Sequence, residues 1–167
     1  MNSKQNIAAT TAIRIGTSHT DAALLSALEG RGNILLMTQQ AEDAVLRPAD
    51  TGVWSAALRI ALAARIAILN GLPELAQHYS EMDDSAEYGD LAALDNDGRT
   101  HGLAHVVAYM DNVARCPRNI KAEDIRCLQQ EGVSDADIVR LTELNAFMAY
   151  QVRLISALSL MGEGRHE

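Results

Sequence analysis

The chain has 167 residues, 48% hydrophobic and 22% charged, with a formal net charge of −8. That length fits one compact domain or at most two small ones, and the hydrophobic share argues against disorder. The acidic balance disfavours a nucleic-acid partner, because phosphate backbones need a basic patch. The fourteen Lys and Arg residues are scattered, and the densest stretch, Arg115 to Arg126, alternates with Glu123 and Asp124 as a solvated surface would.

Alanine and leucine dominate, strand-like alternation is scarce and aromatic residues make up 4%, so an all-α fold is expected. The first sixteen residues lack the apolar core of an export signal, and the longest apolar run, Ile60 to Leu69, contains Arg65. No membrane partner is expected, and the expected location is cytoplasmic. Cys116 and Cys127 then read as free thiols.

In chain order, residues 1–18 read as a flexible N-terminus, residues 19–162 as a single helical domain and residues 163–167 as a frayed tail. "SHTDAALLSALEG" predicts a short helix capped by Ser18 or Thr20 and ended by Gly30. "NILLMTQQAEDAVLR" predicts a second, stopped before Pro48, with "PADTG" as a turn. "VWSAALRIALAARIAILNG" predicts a third, apolar around its circumference, which suits burial on several sides or contact with another subunit.

"LPELAQHYSEMDDS" predicts a fourth helix, with Pro73 in its first position and Glu74 near its positive end. An acidic, Gly-punctuated stretch follows, "AEYGDLAALDNDG", as a short helix and loop. "RTHGLAHVVAYMDNVARC" predicts a fifth long helix broken by Pro117, and "IKAEDIRCLQQEG" a short one stopped by Gly132. The last helix starts at a Ser134 cap with Asp137 and keeps apolar residues at 138, 141, 144, 147, 148, 152, 155 and 158.

Three stretches carry a family likeness. "LRIALAARIAILNG…AQHY", "DIRCLQQEGVSDADIVRLTELNAFMAYQVRLISAL" and the region between them resemble the carboxymuconolactone decarboxylase and alkylhydroperoxidase D-like (AhpD-like) superfamily, over roughly Asp21 to Met161. The nearest branch resembled is its uncharacterised, peroxidase-related proteins. The likeness implies an all-α fold built on a helical hairpin, self-assembled as a homo-oligomer, a trimer or a hexamer. It also implies, in the peroxidase members, a Glu on the first hairpin helix, a Cys-x-x-Cys opening the second twelve residues later, and a His four residues after the second Cys. A thiolate at a helix N-terminus attacks peroxide, the second thiol resolves it, and Glu and His move protons.

Carried onto this chain, the Glu position is Ile60, the thiol positions are Leu72 and Leu75, and the His position is Tyr79 with His78 beside it. Arg59 and the Asn70–Gly71 turn survive. Leucine has no redox chemistry, so the thiol peroxidase cycle cannot run at these positions. Two readings follow. One is a family member without the thiol centre, acting as a non-redox binding or structural oligomer or as an enzyme of unknown substrate. The other is a residual peroxidase-related oxidoreductase or decarboxylase-like enzyme working through His78, Tyr79 and Arg59. A different-fold alternative is a helical interaction module whose apolar third helix mates with a partner protein.

Each remaining candidate has a plain structural reading beside its chemical one. His78 reads as a displaced acid–base or as a surface residue, and Tyr79 as a ligand contact or as core. Asp97, His101 and His105, spaced four apart, suit a weak zinc site if one helix carries all three, or a solvated stripe; no metal or cofactor is assigned. Cys127 reads as core filling. Arg59 and Arg65 need carboxylate partners if buried, with Glu143 and Glu74 as candidates, or else Arg59 clamps a small acidic ligand. Phe147, Tyr150 and Arg153 on the last helix rim a pocket or simply pack.

Overall fold

The computed structural model describes residues 7–17 and 22–163, and these contain eight α-helices and no strand. They are α1 (Thr11–Gly16), α2 (Ala22–Glu29), α3 (Gly32–Leu46), α4 (Ala56–Leu69), α5 (Pro73–Ser80), α6 (Ala104–Arg115), α7 (Ala122–Gln130) and α8 (Asp135–Glu163). No helix among the described residues is long and apolar enough to cross a membrane. The suggested caps Ser18 and Thr20 and the tail beyond 163 lie outside the described residues.

The chain divides into two compact units, residues 1–44 with 150–167 and residues 45–149. Within the segment expected to be flexible, residues 7–9 form a 3₁₀ turn and α1 follows at once. The physical reason is burial. Ala12 and Ile13 join Leu24, Leu28, Leu35 and Leu158 in the core of the first unit, with Ile7 and Leu154 packed against it. The Thr11 N–H donates to Gln39 Oε1 at 2.8 Å, which fixes the first turn of α1 to α3.

The second unit is organised around α4. Every residue from Leu58 to Ala67 is buried, so the apolar circumference of this helix is already covered within the chain. Its start is later than expected. Ser55 is the N-cap and accepts the Leu58 N–H at 3.2 Å, which leaves Val53 and Trp54 outside the helix. Its end is the Asn70–Gly71 turn, where the Leu72 N–H reaches back to the Ala67 carbonyl and Gly71 takes φ +75°. α5 then starts on Pro73 and packs along α4 as a hairpin.

The expected fifth helix is two elements. Arg99–His101 is a 3₁₀ turn, Gly102 takes φ +69°, and α6 begins only at Ala104. A left-handed residue cannot lie inside an α-helix, so Gly102 breaks the register between His101 and His105. In contrast, α8 follows its sequence pattern closely. All eight apolar positions from Ile138 to Leu158 are buried. Ser134 caps it as expected: its Oγ accepts the Asp137 N–H at 3.2 Å and donates to Asp137 Oδ2 at 2.6 Å.

Candidate functional site

The hairpin turn puts Leu72 at the N-cap of α5 and Leu75 one turn further on. Leu72 is half-buried, whereas Leu75 and Tyr79 are completely buried. His78, half-buried, lies with its ring centroid 5.6 Å from that of Tyr79, at 43°. The positive end of α5 therefore meets hydrocarbon rather than a group it could ionise, and the only acidic residue in its first turn is Glu74.

Arg59 is engaged differently from either sequence expectation. Its Nε donates to the Trp54 carbonyl at 3.1 Å, Nη1 to Val45 O at 3.2 Å and Nη2 to Thr51 O at 2.9 Å. Burial lowers its pKa, and the like charge of Arg140 adds to the effect. No carboxylate is in ion-pair contact with it among the described residues. Arg59 is a strap for the 45–54 segment, with all three guanidinium nitrogens turned to main-chain oxygens.

Arg65 has a carboxylate partner, though neither Glu143 nor Glu74. Its Nε and Nη2 grip Asp111 of α6 at 2.7 and 2.8 Å as a bidentate pair. Its Nη1 also donates to the carbonyls of Leu91, Ala93 and Asn96, and Nη2 to Leu94 O. One guanidinium thus pins the irregular 91–96 segment against α4. This satisfies carbonyls that have no ladder of their own.

The three residues of the suggested zinc stripe go to separate partners. His101 Nε2 meets both Asp90 carboxylate oxygens, at 2.8 and 3.0 Å, beside the Tyr88 ring. Asp97 pairs with Arg99, and His105 with Glu131 at 3.3 Å. The left-handed breaks at Gly98 and Gly102 are the cause. Tyr150, in the first unit, is hydrogen-bonded through its hydroxyl to Thr38 Oγ1 at 2.9 Å.

The sequence reading missed a cleft of about 230 Å³ in the second unit. Val53 and Trp54 form one wall, Gly102 and Leu103 with His105 and Val106 of α6 another, and Leu128 with the Glu131–Val133 turn the third. Its floor is fixed from behind by Asp137. The Trp54 indole N–H donates to the Asp137 carbonyl at 2.9 Å, so it is already engaged. Asp137 Oδ1 accepts from Val53 N and from Arg140 Nη1, and Arg140 also grips Asp50 at 2.6 Å.

The Ser134 hydroxyl, then Val53 N–H and Arg140, hold the Asp137 carboxyl below its usual range against the opposing effect of burial. Gly52 fits this corner only as glycine: it takes φ +58°, and a Cβ there would collide with Asp137 Oδ1. The one sequence signal for the cleft was Ser55, a capping residue before an apolar run, which would have released Trp54 from the helix.

Comparison with protein-family models, with curated proteins and with solved structures finds no match.

Proposed function

We propose that this chain is an AhpD-like protein without the thiol centre, serving a non-redox binding or structural role as a homo-oligomer. The single observation that supports it is the dry start of α5. Leu75 and Tyr79 are fully buried and Leu72 half-buried on a hairpin whose turn would otherwise present a nucleophile at a helix N-terminus. Arg59, the other inherited position, is committed to three carbonyls and is poorly placed to hold an acidic ligand.

A second reading keeps His78, Tyr79 and Arg59 as residual oxidoreductase or decarboxylase-like machinery, and the His78–Tyr79 ring contact is its support. Dithiol-dependent peroxide consumption separates the two. The first reading expects none above buffer in the wild-type chain. Turnover that survives Cys116→Ser and Cys127→Ser but disappears in His78→Ala would establish the second. Turnover lost with either cysteine would defeat both. Light scattering on the same sample reads the oligomer, and a monomer would remove self-assembly from the proposal.

A further inference from the structure

The cleft over Trp54 has a polar mouth, and its chemistry is specific. His105 Nε2 and Glu131 Oε1 face each other at 3.3 Å, and both side chains are half exposed. A charge-assisted N–H···O bond is ordinarily about 2.7–2.9 Å, so this long contact leaves acceptor capacity on the Glu131 carboxylate. Behind it the walls are Trp54, Leu103, Val106 and Leu128, with the indole N–H already used elsewhere.

Charge decides what such a mouth would take. Glu131 brings a full negative charge and stands at the C-cap of α7, whose end adds roughly half a charge of the same sign. The start of α6 opposes these with roughly half a positive charge. The balance is negative, on a chain of net charge −8. A volume near 230 Å³ is below the range of about 300–1,000 Å³ typical of drug-sized ligand pockets. The occupant must be small, apolar in body and cationic at one end.

We propose that this cleft binds a small organic amine. The ammonium donates to Glu131 at the mouth, and the hydrocarbon or aryl body lies on Trp54 and between Leu103 and Val106. Nothing in this assignment depends on the hairpin being thiol-free, so it stands or falls separately from the function proposed above.

Trp54 is the sole tryptophan and therefore reports directly on occupancy. Intact protein is titrated with 2-phenylethylammonium chloride while Trp54 emission is followed, with 3-phenylpropionate as the anionic counterpart. The amine should give a saturable change, the carboxylate none, and Glu131→Gln should weaken amine binding at least tenfold. Glu131 is exposed and caps no other group, so this variant is expected to fold as the parent does. The assignment is overturned by no saturable response to the amine, by an equal response to phenylpropionate, or by unchanged affinity in Glu131→Gln.

Discussion

The α4–α5 hairpin and the cleft over Trp54 belong to the same unit and obey opposite rules. At the hairpin, the residues that open α5 are hydrocarbon, and the buried charges are consumed by the fold: Arg59 straps one segment and Arg65 with Asp111 pins another. At the cleft, a histidine and a carboxylate stay half exposed beside an apolar wall and meet each other rather than main-chain oxygens. Buried charge that satisfies many carbonyls is architecture. Exposed charge with an unfilled hollow behind it is available for recognition.

The contrast predicts where substitution damages folding. The largest effect belongs to Arg65→Ala. Removing it strands the Asp111 carboxylate and the carbonyls of the 91–96 segment, at a cost of about 3–5 kcal/mol. Chemical denaturation would read this as a lower midpoint with little change in slope. Adding Asp111→Ala should recover part of the loss, because the unpaired carboxylate goes too. A cost within 1 kcal/mol would mean that Arg65 is not the organiser of the segment.

A smaller effect, about 1–2 kcal/mol, is expected for Asp137→Asn, which sits behind the cleft. Here the pH dependence sharpens the test. The folded-state pKa of Asp137 is depressed, so its contribution is present above the unfolded carboxylate pKa and is lost as pH falls through the folded value. Wild type should therefore lose stability below about pH 4, and the variant should lose less across that window. Parallel pH profiles for the two would contradict the role given to the Ser134, Val53 and Arg140 contacts.

Much of the fold was legible because helix formation here is local. The eight apolar positions of α8 state its buried stripe outright, and Pro73 and Gly71 punctuate the hairpin. The misses came from long-range partners. Arg65 and Asp111 are 46 residues apart, and nothing near either names the other. The N-terminal turn looked loose by its small polar residues, yet Ile7, Ala12 and Ile13 have a core waiting from α2, α3 and α8. The cleft exists only where three connections meet, so no single stretch of sequence contains it. The histidine stripe failed for a local reason that the sequence did hold: Gly102 stands between His101 and His105.

The account rests most heavily on Leu75 being closed to solvent at the start of α5. Its direct test is thiol labelling of a Leu75→Cys variant built on Cys116→Ser and Cys127→Ser, beside a matching Leu72→Cys variant. The account predicts that a thiol at 72 is labelled at a measurable native-state rate, while one at 75 reacts only as fast as the chain opens and stays protected without denaturant. Prompt labelling at 75 in the folded protein would show an accessible pocket where hydrocarbon packing is claimed, and would contradict the non-redox reading of the hairpin.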